Sequence, residues 1–132
     1  MATWEDMRRI ATALPGVAEG HDDTRGWSVG DKVLAWERPL RKGDLAALDL
    51  DSQDEPVLVV RTPDRDGKFA LIEQDPDVFF TTPHFNGYPA VMVWLDRISP
   101  DVLEEIVTDA WLARAPKRLT REFLAGGSSP DG

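Results

Sequence analysis

Six residues constrain this chain more than any others. Ala90-Val91-Met92-Val93-Trp94-Leu95 puts Val91, Val93 and Leu95 on one side of an extended segment and Met92 and Trp94 on the other, which is the two-residue period of a strand. Val57-Leu58-Val59-Val60 is a second strand, short and β-branched. Such runs belong in a sheet, and the segments around them say what covers it. Near the start, Met7, Ile10, Ala11 and Leu14 recur at i, i+3, i+4 and i+7, one stripe of a helix. Thr3 is its N-cap, Asp6 is placed to complete a capping box, and Pro15-Gly16 stops it. Near the end, Ser99-Pro100 opens a second helix, with Leu103, Ile106, Val107, Ala110 and Trp111 as its apolar stripe. Acidic residues at its start (Asp101, Glu104, Glu105) and Arg114 at its end match the helix dipole.

Between these helices, residues 17–21 predict a first strand, and residues 26–30 with 32–37 predict a hairpin bent at Gly30-Asp31. In its second arm Val33 and Ala35 alternate with Leu34 and Trp36, so both faces are apolar and neither stands out as the inner one. Residues 39–55 read as a loop holding a brief helix at Leu45-Ala46-Ala47-Leu48, and a loop of that length is functional or mobile. Phe69-Ala70-Leu71-Ile72 predicts a short helix, residues 78–81 another strand and residues 82–89 a turn. Residues 117–125 predict a final helix anchored by Leu119, Phe123 and Leu124. This order predicts one α+β domain, an antiparallel sheet packed against N- and C-terminal helices. The domain is expected over residues 1–125, with 126–132 as a flexible C-terminal tail.

The 132 residues suit a single domain. Fifteen Lys and Arg against 24 Asp and Glu leave a net charge of −9. That opposes a whole-molecule attraction to phosphate but leaves room for a local basic face. With no cysteine, disulfides, thiolate metal sites, iron–sulfur clusters and a cysteine nucleophile are excluded. Residues 1–9 carry charge where a signal peptide needs an apolar run, and no stretch approaches about 18 apolar residues, so a cytoplasmic protein without a membrane segment is expected.

His21-Asp22-Asp23 offers three metal-ligating groups in a row. Adjacent residues converge on one ion only where a fold bends them to it, so a solvated turn is the better account. No metal and no cofactor are expected. His84 lies in Thr81-Thr82-Pro83-His84-Phe85-Asn86-Gly87-Tyr88-Pro89. The two threonines are weak nucleophiles, and neither a Gly-x-Ser-x-Gly motif nor a phosphate-cradling glycine loop occurs. His84 is read first as a structural histidine bonded to backbone and second as a ligand contact. No catalytic set assembles, so the chain is not expected to be an enzyme. Asp64-Arg65-Asp66-Gly67 lacks the ligand spacing of a calcium loop and reads as a turn.

Two features remain. Cations gather at Arg38, Arg41 and Lys42 beside the hairpin, and at Arg114, Lys117, Arg118 and Arg121. The second set has helical spacing and makes one ridge if Pro116 only kinks the backbone. Among five tryptophans, Trp94 and Trp111 read as core, while Trp27 and Trp36 on the hairpin read as more exposed. Trp36, His84, Phe85, Tyr88 and Trp94 would together line an aromatic pocket.

Several stretches, in this order, resemble the MmcQ/YjbR family of small bacterial proteins. They are Leu14-Pro15-Gly16-Val17-Ala18-Glu19, Lys32-Val33-Leu34-Ala35-Trp36, Asp77-Val78-Phe79-Phe80-Thr81-Thr82-Pro83-His84 with the strand to Trp94-Leu95, and Trp111-Leu112-Ala113-Arg114-Ala115-Pro116-Lys117. The resemblance spans roughly residues 3–125. It implies a compact α+β domain with a curved antiparallel sheet, and double-stranded DNA binding through two wing-like hairpins, as proposed for some members. It implies no catalytic residues. Where many relatives carry a His-Trp pair entering the late strand, this chain has Tyr88-Pro89.

The first expectation is therefore a non-enzymatic protein that binds duplex DNA. Phosphate contacts would come from hairpin wings near residues 26–42, with Arg38, Arg41 and Lys42, and from the ridge Arg114, Lys117, Arg118 and Arg121. DNA carries one negative charge per ~1.7 Å of axis, so a chain at −9 would bind it weakly and in a salt-sensitive way. The alternative is a monomeric domain that binds a small ligand or a protein partner at the aromatic pocket around His84.

Overall fold

The computed structural model describes residues 1–20, 25–85 and 87–127. Six strands form one sheet: β1 (Val17–Glu19), β2 (Gly26–Val29), β3 (Lys32–Glu37), β4 (Val57–Arg61), β5 (Phe79–Phe80) and β6 (Ala90–Trp94). Their order is β1-β2-β3-β4-β6-β5, and every neighbouring pair is antiparallel. The helices are α1 (Trp4–Thr12), α2 (Lys42–Ala47), α3 (Arg65–Gln74), α4 (Pro100–Arg114) and α5 (Lys117–Gly127), with single 3-10 turns at Pro83–Phe85 and Leu95–Arg97. This is the α+β domain that the element order predicts. Residues 128–132 of the expected tail lie outside the described residues, as does His21-Asp22-Asp23.

The two long helices form as their capping chemistry dictates. Thr3 Oγ1 accepts from the Asp6 amide at 3.1 Å while Asp6 Oδ2 accepts from the Thr3 amide at 3.0 Å, satisfying two donors that a helix start leaves open. Ser99 Oγ accepts from the Val102 amide at 3.2 Å, and Pro100 fills a position that needs no donor. Both helices press their stripes onto one face of the sheet. There Met7, Ile10, Leu103, Val107 and Trp111 meet Leu58 and Val60 of β4 and Val91 and Val93 of β6 in one buried cluster. The other face holds a smaller cluster of Val57, Val59, Phe80, Phe85, Ala90 and Met92, with Trp36, Leu40, Leu48 and Trp94 partly buried against it.

The ambiguity in β3 resolves through a bulge. Trp27 pairs with Ala35 and Ser28 with Val33, so Leu34 is an extra residue on β3. The extra residue breaks alternation and bends the strand. Leu34 and Ala35 are both fully buried in the larger cluster, and Trp36 is left for the opposite face. The hairpin closes through Gly30 at φ 61°, a conformation that a side chain would strain. Gly16 has φ 74°, and a Cβ there would meet Leu119 Cδ1 at 2.9 Å. Glycine thus both turns the chain after α1 and lets α5 dock.

Four expectations are corrected. Asp64-Arg65-Asp66-Gly67 is the start of α3 rather than a turn, because Asp64 Oδ1 accepts from the Gly67 amide at 2.7 Å. The brief helix of the 39–55 loop begins earlier, at Lys42, because Asp44 reaches back to the Arg41 amide at 3.1 Å. Trp27 is buried rather than exposed; its Nε1 donates to Glu19 Oε1 at 3.1 Å and its ring stacks near Trp4. The basic ridge is broken: Ala115 is extended at ψ 152°, which ends α4 at Arg114 and starts α5 at Lys117.

Candidate nucleotide-binding groove

The face with the smaller cover keeps a groove. Three adjoining depressions share lining residues. One of about 420 Å³ runs beside Arg25, Val33, Trp36 and Tyr88. One of about 330 Å³ lies among Trp36, Arg38, His84, Phe85 and Tyr88. One of about 270 Å³ continues past Arg38, Arg41, Asp44 and His84. Trp36 and Tyr88 join the first pair, and Arg38 and His84 join the second.

Phe85 is the buried floor. The Trp36 ring lies 6.3 Å from it, the Tyr88 ring 6.2 Å, and the His84 ring meets it edge-on at 5.0 Å. Tyr88 and His84 are exposed on the rim. His84 makes no hydrogen bond among the described residues, so the expected backbone-bonded histidine is replaced by an open one. Trp94 leaves the expected pocket: it stacks on Phe80 at 4.6 Å, with the Arg97 guanidinium 5.1 Å over its ring. On β6 it is two residues from Met92, the register partner of Val59, and Val59 in turn pairs with Trp36. It therefore belongs to a different row of the same face.

Arg38 sits over Phe85 at 5.0 Å and donates through Nη2 to Asp44 Oδ2 at 2.8 Å, with both side chains nearly buried. Its Nε is buried with no acceptor among the described residues. Burial pushes the Asp44 carboxyl up, but the Arg41 amide and the Arg38 guanidinium outweigh it and hold Asp44 below its ordinary 3.8. Asp44 thus cancels Arg38 and fixes it. Arg41 and Lys42 are exposed and have no carboxylate partner among the described residues. At the far end Arg25 is tied to Glu37 at 3.3 Å.

The second basic set lies elsewhere. Leu119 and Phe123 seat α5 on the larger core cluster, whereas Leu40 and Leu48 bracket α2 on the smaller one. Lys117, Arg118 and Arg121 are therefore carried on the opposite side of the sheet from Arg38, Arg41 and Lys42, all three exposed. Arg114 turns inward, where its Nη2 donates to the Thr62 carbonyl at 2.6 Å.

Three cations near the groove escaped the sequence reading. Arg61 ends the apolar run of β4; its guanidinium lies 4.7 Å over the Tyr88 ring and donates to the Tyr88 hydroxyl at 3.0 Å. Lys68 is fully buried, and its Nζ donates to the Phe85 carbonyl and, at 3.0 Å, to the Tyr88 carbonyl. It pins the ends of the segment that carries the rim. Burial pushes its ammonium below the usual lysine value. The signal for it was present: Lys68, Leu71 and Ile72 fall at i, i+3 and i+4, so this lysine shares the inward stripe of α3. Arg25, the third, had no such signal.

A single-sheet α+β domain with a groove of aromatic and cationic side chains on its thinner face is the class of protein this geometry defines. The chain belongs to the YjbR family, whose model matches residues 12–113. Uncharacterized proteins of Mycobacterium bovis and Mycobacterium tuberculosis are 52% identical to it over 130 residues, covering 95% of this chain and 98% of theirs. The crystal structure of the Deinococcus radiodurans protein DR2400, of domain family DUF419, shares its fold with a TM-score of 0.65 at 22% identity, over 92% of this chain and 88% of that one. Among the described residues, no helix is long and apolar enough to cross a membrane.

Proposed function

We propose that the chain is a non-catalytic binding module whose groove takes exposed nucleotide units of DNA, the base against Trp36 and Tyr88 and the phosphate toward Arg41 and Lys42. One observation carries this reading: His84, Phe85 and Tyr88, far along the chain from Trp36, Arg38 and Arg41, line the same groove with them. Every base presents a flat π-face, so a stacking platform suits nucleotides of any sequence. A guanidinium fork matches phosphate, and Arg41 is free to offer one. The remaining charge opposes a polyanion, since the whole chain stands at −9. Binding is therefore weak and falls steeply with salt.

A duplex gripped by the hairpin and α5 together is the competing form. It draws less support, because the two basic sets are carried on opposite sides of the sheet and a base stacked within a duplex cannot reach an aromatic platform. The test is fluorescence anisotropy of labelled single-stranded and duplex oligonucleotides at about 20 mM salt, with tryptophan quenching as a second readout. Single strands should bind, quench tryptophan, and lose both effects on Arg41→Glu or Trp36→Ala. A mononucleotide that competes as well as an oligomer makes the ligand a free nucleotide. Duplex binding that exceeds single-strand binding and depends on Arg118 moves the function to α5. No binding of any of these probes refutes the proposal.

A further inference from the structure

Strand geometry puts a cation behind the groove rim. Side chains on β4 alternate between the faces of the sheet, so Arg61 follows Val57 and Val59 onto the groove side. Register sets it opposite Ala90, two residues after Tyr88. There it meets Tyr88 twice: the guanidinium lies 4.7 Å over the ring, and Nη1 donates to the hydroxyl at 3.0 Å. The backbone beneath the ring is held as well. Lys68 donates to the Tyr88 carbonyl at 3.0 Å, and the Tyr88 amide donates to the Phe85 carbonyl at 3.0 Å. Yet Tyr88 is 40% exposed. A ring that merely filled space at the surface would need no such fixing.

Arg61 gains little stability from this contact, since a cation over an exposed ring is weakly attracted. Three observations weigh against it. Its Nε is buried with no acceptor among the described residues. No carboxylate lies at ion-pair distance from its guanidinium among them. Burial first, and then the Arg61 charge, push the neighbouring Arg114 guanidinium below its ordinary value. Each of these costs stability. Arg61 lines none of the three depressions of the groove, whereas Tyr88 lines two, so a ligand there meets Tyr88 and not Arg61. We infer that Arg61 is a positioning residue of the groove: it occupies one face of the Tyr88 ring and a lone pair of its hydroxyl, and so holds the other face ready for a base. The inference rests on the nucleotide reading of the groove and adds that the aromatic platform is set before the ligand arrives. Ordering a side chain during binding weakens binding, so a ring ordered beforehand binds more tightly.

The test is a double-mutant cycle read by anisotropy of a labelled single-stranded oligonucleotide, with thermal unfolding of the same proteins. Arg61→Met should weaken binding about two- to tenfold, the worth of ordering one side chain, while the melting temperature stays level or rises. In a Tyr88→Ala background, where Trp36 still gives measurable binding, Arg61→Met should cost nothing more, because the two residues act as a unit. A loss from charge alone would persist there. Tyr88 is the only tyrosine in the sequence, so ring-labelled protein reports it alone by NMR, and its signals should move in Arg61→Met before any ligand is added. Wild-type protein that binds no oligonucleotide refutes the groove reading and leaves Arg61 nothing to position. Where the wild type binds, four results would each overturn the role of Arg61 and leave the groove reading standing. They are unchanged binding in Arg61→Met, an equal loss in the Tyr88→Ala background, unmoved Tyr88 signals, and a melting temperature that falls together with binding.

Discussion

The two faces of the sheet are built from the same strands and covered to different depths. On one, two capped helices and the docked α5 bury a continuous cluster that includes Trp27 and Trp111. On the other, the cover is a helix of six residues, α2, and the 3-10 turn at Pro83–Phe85. That cover encloses Val57, Val59 and Met92 but leaves Trp36 half-buried and Tyr88 and His84 exposed. Burial on the first face serves stability. On the second, a shorter cover leaves aromatic surface unfilled, and polar ties hold what helix packing does not: Arg38 to Asp44, Lys68 to two carbonyls, and Arg97 to Glu55 at 2.6 Å.

The sharpest way to break this contrast is to damage each face once. Trp111 is fully buried, and its Nε1 donates to the Pro15 carbonyl at 2.9 Å. Trp111→Ala should cost about 3–5 kcal/mol, read as a lower urea midpoint. On the other face Asp44→Ala leaves the nearly buried Arg38 guanidinium without its carboxylate and should cost about 3 kcal/mol. If Trp111→Ala is the milder of the two, the thicker cover is not what holds the fold.

Acid gives a smaller effect with a definite sign. Asp44 titrates below its ordinary value in the folded chain. Its contribution is therefore fully present above the unfolded value of about 3.8 and is lost as pH falls through the folded one. Unfolding should grow easier below about pH 4, and the acid limb should flatten in Asp44→Asn. A limb of equal steepness in that variant assigns the acid sensitivity elsewhere, first to Glu55, which Arg97 holds down in the same direction.

The thick face was legible in the sequence and the thin one only partly. The stripes of α1 and α4 and the β-branched runs announce themselves because burial along a regular element repeats with its period. Met7, Ile10, Leu103 and Trp111 all lie where that period puts them. The Leu34 bulge breaks the period of β3, so no alternation rule assigns Trp36 to the groove side. Four of the five expected aromatic residues do meet, with Arg38 and Arg41 beside them. Trp94 misses because row position depends on strand register, which its own segment does not encode. Arg114 left the ridge because ψ at Ala115, set by the following proline, ends the helix before the spacing can act.

The smallest effect on the fold carries the largest consequence for the groove. The Arg41 side chain is exposed and has no partner among the described residues; its backbone alone is used, the amide donating to Asp44 and the carbonyl accepting from the Leu45 amide at 2.9 Å. Arg41→Glu should therefore move stability by no more than about 0.5 kcal/mol. It reverses the charge at the end of a groove whose other lining cations, Arg38 and Arg25, are already tied to carboxylates, and sets a carboxylate beside Lys42. Oligonucleotide binding should then vanish while the urea midpoint stays in place. Arg118→Glu makes the same change of charge from α5, on the far side of the sheet, and should spare binding at equal salt. Equal losses in the two variants would mean that net charge alone governs the interaction, and the difference between the faces would concern packing only.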